Sequence, residues 1–221
     1  MARQLEEQIA GRFAVGRRLR VLDVGMGRGA QALWLARAGH QVTGVEQDAA
    51  MIAAAREALA GQPEGIRERM RIVEGAAGDT GVHFLPGSFD VVLCHDVLMY
   101  VEEPDALLAG LARMLAPGGL LSLLVRNGDA PAMRAGLRGD WAEALAAFDT
   151  ESYRLKRLTA TLAGIGAPLH TWYGVRVFTD TAADDAVPDD LDALLTLEDR
   201  AGRTDPYRGV AALLHLCGVR G

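Results

Sequence analysis

Apolar residues along this chain follow two rhythms. Short, nearly unbroken apolar runs predict strands over 20–24, 41–45, 70–74, 91–94 and 120–125. Between them, apolar positions recur every three or four residues and predict helices over 29–38, 48–60 and 104–115. A further helix is predicted over 4–15, where Leu5, Ile9 and Phe13 repeat at four-residue spacing. Asp48 fits an N-cap and Gly61 a helix stop. Pro117-Gly118-Gly119 is expected to end the helix before it. The runs at 91–94 and 120–125 lack polar alternation, which suits parallel strands covered on both faces. Strands alternating with helices at this spacing define an α/β fold: a doubly wound, mostly parallel sheet with right-handed crossovers.

The last third reads differently. Residues 131–163 are mostly helical in pattern, a helical insertion. Residues 170–178 and 210–218 read as two strands that pair antiparallel at the sheet edge. Between them lie Asp184, Asp185, Asp189, Asp190 and Asp192, read as a solvated loop and the outer face of a helix over 189–201. The expected organisation is one domain over 1–221, with the ligand-holding half at 1–127 and the substrate side at 128–221.

Composition narrows the class. The chain has 221 residues, half of them hydrophobic and 24% charged, as a folded globular domain has. The net charge of −6 argues against a broad nucleic-acid footprint, though a local basic patch is compatible with it. Two distant cysteines, Cys94 and Cys217, fit reduced thiols, and no Cys/His cluster has metal-ligand spacing. No apolar run approaches a membrane span, and the first residues lack the apolar core of a secretory signal, so a cytoplasmic location is expected.

The chemistry concentrates at Val21-Leu22-Asp23-Val24-Gly25-Met26-Gly27-Arg28-Gly29. A buried strand there enters a turn with glycines at alternate positions and then opens a helix. Such a turn lets backbone approach a ligand, and the helix start offers unpaired N–H groups. The spacing is G-x-G-x-G after an aspartate, which is not the G-x-G-x-x-G of dinucleotide sites. Glu46, with Gln47 beside it, ends the second strand without an evident partner; a carboxylate there can accept both hydroxyls of a ribose. Ligands of open α/β sheets bind beyond the carboxyl ends of the strands. That edge collects Gly25, Met26, Gly27, Glu46, Gln47, Ala77, Gly78 and His95 as cofactor candidates; Asp23, inside the first strand, serves equally as a cofactor contact or as a structural acceptor for loop N–H groups. Asp79 serves equally as an adenine contact or a loop cap, and Met51 as an adenine-face contact or core. His95 is a candidate for a catalytic role, and a general base, where one is needed, could be His95 or the adjacent Asp96. Arg126, Asn127, Arg176 and Arg208 are candidates for holding an anionic substrate, each equally readable as a structural contact.

The segments DVGMGRGAQA, AGHQVTGVEQDAAMI, VEGAAGD, FDVVLCHDVLMYVEEPDALL and LAPGGLLSLLVRN resemble class I S-adenosylmethionine (SAM) methyltransferases, which are Rossmann-like. With TWYGVRVFTD and ALLTLEDRAGRTDPYRG, the chain is similar to the group that includes the tRNA carboxymethoxyuridine methyltransferase, over roughly 18–218. The resemblance implies SAM as methyl donor, S-adenosylhomocysteine as product and no metal. It implies cofactor contacts at Gly25, Met26, Glu46, Ala77, Gly78 and His95. It further implies methyl esterification of a carboxymethoxy group on a tRNA wobble uridine, a nucleophile that needs no base. Three departures stand out. An N-terminal segment with an arginine for the methionyl carboxylate has only Arg3 as a poor match here. The link at 151–158 is short where related chains place a longer basic loop. The charge balance is acidic. The expected function is methyl transfer to an oxygen acceptor, either a modified tRNA or a small molecule. A SAM-binding module without turnover is the non-enzymatic alternative. Acceptor identity and oligomeric state are not specified by these patterns.

Overall fold

A computed structural model describes residues 1–149, 153–179 and 190–221. The elements in chain order are α1 (Ala2–Arg12), β1 (Arg20–Val24), α2 (Ala30–Arg37), β2 (Gln41–Glu46), α3 (Ala49–Ala60), α4 (Glu64–Arg67) and β3 (Met70–Glu74). Then come α5 (Thr80–His83), β4 (Phe89–His95), α6 (Pro104–Met114), β5 (Leu115–Arg126), α7 (Ala130–Leu137), α8 (Trp141–Asp149) and α9 (Leu155–Gly164). The chain closes with β6 (Leu169–Val175), α10 (Leu191–Ala201) and β7 (Leu213–Val219).

The strands form one seven-stranded sheet in the order β3-β2-β1-β4-β5-β7-β6. The first five are parallel, and β7 runs antiparallel to both β5 and β6. This is the doubly wound, mostly parallel α/β sheet with an antiparallel edge that the apolar rhythm predicts. The order reverses between β1 and β4, so the crevice beyond their carboxyl ends is where such sheets hold ligands.

Each face of the sheet is covered by its own apolar layer. Leu5, Val21, Leu33, Leu35, Val91 and Leu93 pack α1 and α2 on one side. Leu107, Leu108, Leu111, Leu158 and Leu162 pack α6 and α9 on the other, over Leu22, Val92 and Leu121. The two-sided burial explains why the central runs carry no polar alternation. At the opposite end of β1, Asp90 accepts from the Arg20 backbone N–H at 2.9 Å and from Arg17 Nη2 at 2.9 Å, tying the strand's start to β4. No helix among the described residues is long and apolar enough to cross a membrane.

Several predicted boundaries are corrected by tertiary contacts. Pro117-Gly118-Gly119 does not separate a helix from a strand; it lies inside β5. There it bulges the ladder between the pairs Phe89–Leu115 and Val91–Leu120. The strand expected over 170–178 ends at Val175, because Arg176 turns into left-handed backbone. The Glu198 carboxylate then accepts the N–H groups of Val177, Phe178 and Thr179 at 2.8–3.0 Å. The strand expected from 210 starts at Leu213, after a 3-10 turn over Tyr207–Val210. The helix expected over 4–15 is seated at 2–12, and the 131–163 region is three helices. Asp190 caps α10 through Ala193 N–H at 2.9 Å; Glu151, Ser152, Asp184, Asp185 and Asp189 lie outside the described residues.

Gly44 in β2 carries a consequence for stability. A Cβ at this position would stand 2.1 Å from Met26 Sδ and 3.3 Å from Met26 Cβ. Gly44→Ala is therefore expected to cost about 1–3 kcal/mol through overpacking. A thermal melt should show the loss, and Met26→Ala in the same chain should recover part of it. A simple sum of the two single-variant losses would refute this packing account.

Candidate active site

Two cavities open side by side at the carboxyl edge of the parallel strands. The first, about 600 Å³, is lined by Gly25, Val45, Glu46, Gln47, Ala77 and Gly78 among others. The second, about 450 Å³, is lined by Arg126, Arg134, Arg176, Asn127 and Met99 among others. Asp96 and Tyr100 belong to both walls.

The first cavity is shaped by how the glycine loop is held. Gly25 N–H and Met26 N–H both donate to Val45 O, at 2.9 and 3.2 Å. Gly25 sits at φ +69, and a Cβ there would lie 2.3 Å from Val97 Cγ2, so only glycine fits. The Glu46 carboxylate clamps the loop from the neighbouring strand. Its Oε2 accepts from Gly27 N–H at 2.9 Å, and its Oε1 from Gln47 and Asp48 N–H at 2.9 and 3.0 Å. The expectation that Glu46 stands without a partner is corrected: three backbone donors already use most of its acceptor capacity. Met26 contributes backbone to the loop while its side chain is buried in the core. Asp48 caps α3 through Met51 N–H at 2.9 Å, as its position predicts.

Asp23, two residues before Gly25, is buried, and its Oδ2 has no hydrogen-bond partner. Burial, with a smaller push from the Glu46 charge, raises its carboxyl to about 7. Such an orphaned acceptor beneath a glycine loop suits a ligand carrying a cationic or N–H group. Asp23 itself is not among the residues lining the first cavity; Gly25, two residues further on, is.

His95 is placed differently from the expectation. Neither cavity includes it among its lining residues. Its Nδ1 lies 2.8 Å from Gln31 Oε1 and its Nε2 2.8 Å from Ser122 Oγ, so both nitrogens are occupied. Burial pushes its pKa down to about 4. A neutral ring with both nitrogens engaged inside the α1/α2 layer is not arranged as a general base. Asp96, its neighbour, does reach the cavities, in left-handed backbone at φ 56. Burial raises the Asp96 carboxyl, and the Arg126 and Arg176 charges oppose that rise.

The substrate-side candidates divide. Arg126 and Arg176 line the second cavity, and Arg176 is, with Asp96, one of two non-glycine residues with positive φ among the described residues, at 59. Two left-handed residues on one cavity wall are the kind of local strain that gathers at functional sites. Asn127 touches this cavity, but its amide is spent on structure: Nδ2 donates to Gly209 O and Ala211 O, and Oδ1 accepts from Asp129 N–H. Arg208 lies outside it, held by both Asp205 oxygens at 2.8 Å and stacked 4.0 Å over the Trp172 ring. Arg134 was missed by sequence reasoning; nothing local marks a helical arginine in α7 for this wall. Tyr100 carried a signal, in the segment after β4, that was not given a role. No group of three or more His, Cys, Asp or Glu among the described residues could hold a metal.

Comparisons with known proteins define the class. A methyltransferase domain family matches residues 22–123. The chain is 32% identical over 211 residues to the tRNA 5-carboxymethoxyuridine methyltransferase of Escherichia coli (strain K12), covering 90% of this chain and 79% of the relative. Over 108 residues it is 36% identical to a ubiquinone biosynthesis O-methyltransferase of Xanthomonas euvesicatoria pv. vesicatoria (strain 85-10), covering 49% and 43% of the two chains. Among solved structures it resembles magnesium protoporphyrin IX methyltransferase (ChlM) from Synechocystis PCC 6803 with bound SAH. That TM-score is 0.64 at 19% identity, over 100% of this chain and 83% of that one. A SAM-dependent methyltransferase from Mesorhizobium loti gives 0.63 at 19% identity, over 97% and 96%. The chain is thus an enzyme of the class I SAM-dependent methyltransferases, and within them it belongs to the family of the tRNA 5-carboxymethoxyuridine methyltransferase.

The buried Asp23 has a pH signature. Its carboxyl is protonated in both folded and unfolded chains below about pH 4. As pH rises from there to about 7, the unfolded chain releases the proton and the fold keeps it, so this group lowers stability progressively and then holds it low. Asp23→Asn removes that dependence. The melting temperature of the variant relative to the parent should become more positive between about pH 5 and about pH 8, by a few degrees. A difference that stays flat with pH would show that Asp23 does not carry this proton.

Proposed function

We propose that this methyltransferase holds SAM in the cavity along the glycine loop and Glu46, and esterifies a carboxylate acceptor seated among the arginines of the adjoining cavity. The observation that carries this reading is the shared wall: Asp96 and Tyr100 border both spaces, so a donor in one and an acceptor in the other meet there.

On the donor side, Glu46 accepts from the ribose hydroxyls with the capacity its three N–H bonds leave. The backbone of Gly25, Met26, Gly27 and Gln47 lies along the nucleoside. Ala77 and Gly78, in a 3-10 turn after β3, border the base. Asp23 pairs with the ammonium of the methionyl end, which explains an otherwise unpartnered buried carboxyl. The bound sulfonium supplies an electrophilic methyl carbon for direct displacement.

On the acceptor side, Arg126, Arg134 and Arg176 favour an anion through charge-assisted hydrogen bonds. A carboxylate is already ionised at neutral pH and needs no base, in keeping with a His95 whose nitrogens are both engaged. The chain's work is then alignment and exclusion of water. The 5-carboxymethoxyuridine of tRNA, on which the E. coli relative acts by name, carries such a group. The net charge of −6 favours recognition of a short local feature over wide contact with phosphates, and keeps a small carboxylic acid as the second reading.

Three measurements bear on this. Glu46→Ala should weaken SAM binding by about tenfold or more in calorimetry, because it loses ribose contacts and also unties the glycine loop. Unchanged affinity would remove Glu46 from the donor site. Arg176→Ala should leave SAM affinity near the parent value while turnover falls about 10–100-fold; full turnover would take Arg176 out of acceptor binding. Incubation with methyl-labelled SAM and tRNA bearing 5-carboxymethoxyuridine should put alkali-labile label on the RNA. Label that survives alkali would overturn the ester, and label confined to small molecules of a cell extract would overturn tRNA as acceptor.

A further inference from the structure

A line of polar side chains crosses the apolar layer beneath α1 and α2. The Gln31 side-chain amide lies 2.8 Å from His95 Nδ1, and His95 Nε2 lies 2.8 Å from Ser122 Oγ. Ser122 Oγ lies 2.8 Å from His215 Nε2, and His215 Nδ1 lies 3.0 Å from the Gln4 amide. The line therefore passes from α2 through β4, β5 and β7 to α1. Ser122 and His215 are wholly buried and Gln4 nearly so, among Leu93, Leu120, Tyr173 and Cys217. Tyr173 stacks on His215 with ring centres 5.6 Å apart and receives a second α1 donor, Gln8 Nε2, at 2.7 Å.

Counting hydrogens shows how tightly the members constrain one another. Burial holds both rings neutral, His95 at about 4 and His215 well below its usual value. Each ring then supplies one hydrogen and Ser122 one, three for four contacts. The structure has Oε1 of both glutamines against the rings, so the fourth bond forms only with one amide turned to present its Nε2 hydrogen. All four bonds then point the same way along the line. Removing one member leaves a buried ring nitrogen or hydroxyl without its partner, a costly state in an apolar layer. The two ends are thereby linked, although Gln4 and Gln31 are far apart in sequence.

The ends are also well placed. Gln31 stands in the first turn of α2, two residues beyond Gly29 of the glycine loop. His95 directly precedes Asp96, whose left-handed backbone separates the two cavities. No α1 residue lines either cavity. We propose that Gln4, His215, Ser122, His95 and Gln31 are positioning residues that hold the start of α2 and the end of β4 against α1, so that SAM occupancy and the seating of α1 are coupled. This rests on the reading of the glycine-loop cavity as the SAM site.

Hydrogen exchange with and without SAM tests the coupling, because linkage works in both directions. In the parent protein, saturating SAM should slow exchange across residues 2–12 several-fold, although α1 touches no ligand. Ser122→Ala, which deletes one oxygen, should abolish that slowing and weaken SAM binding several-fold. Gln4→Met keeps the side-chain volume and gives the same readout should Ser122→Ala not fold. Purely structural polar packing would lower the melting temperature of these variants and leave the SAM-dependent slowing intact; that result overturns the proposal. So does exchange across α1 that SAM does not change in the parent. Calorimetric binding of SAM to the parent protein, measured alongside, separates failure of the coupling from failure of the SAM site itself.

Discussion

The Glu46 carboxylate gathers the N–H groups of Gly27, Gln47 and Asp48, and the cavity beside the glycine loop takes its shape from that clamp. Without it, a loop rich in left-handed glycines has little to choose one conformation over others. With it, and with Val45 O accepting two further N–H groups, the loop is bound edge-on to β2. The loop's freedom is thus removed by a residue from the next strand. The same carboxylate adds a smaller push to the burial that raises the Asp23 carboxyl to about 7. A buried acid whose carboxyl is raised to about 7 lowers the stability of the fold near neutral pH.

The division of labour across the sheet follows from its topology. The strand order reverses between β1 and β4, and the first cavity opens beyond their carboxyl ends. The antiparallel edge, β7 and β6, brings Arg176 back toward Arg126 at the end of β5, and α7 adds Arg134. An acidic protein thereby gathers three arginines around one small cavity.

Much of this was legible in the chain itself. The five parallel strands, their helices, the antiparallel C-terminal pair, the Asp48 cap and the glycine loop were all readable, because each is encoded by spacing within a dozen residues. The roles of His95 and Arg208 were not. Each belongs to a residue type and position that fit a site, and each is occupied by partners distant in sequence or by local structure: Gln31 and Ser122 for one, Asp205 and Trp172 for the other. Arg134 shows the converse, an ordinary helical arginine that only packing brings to a cavity wall.

The amino-acid sequence by itself determined the order of strands and helices, the buried character of the central runs, and the glycine turn that follows the first strand. Those depend on periodicity and on glycine's access to positive φ, which are properties of neighbours along the chain. The tertiary structure alone decided which polar groups spend their hydrogen bonds on the protein and which remain for a ligand. That outcome depends on contacts between β4, β5, β7 and α1, and between Glu198 and the end of β6. It arises because a buried donor or acceptor must find its partner wherever the fold places one, whatever the distance in sequence.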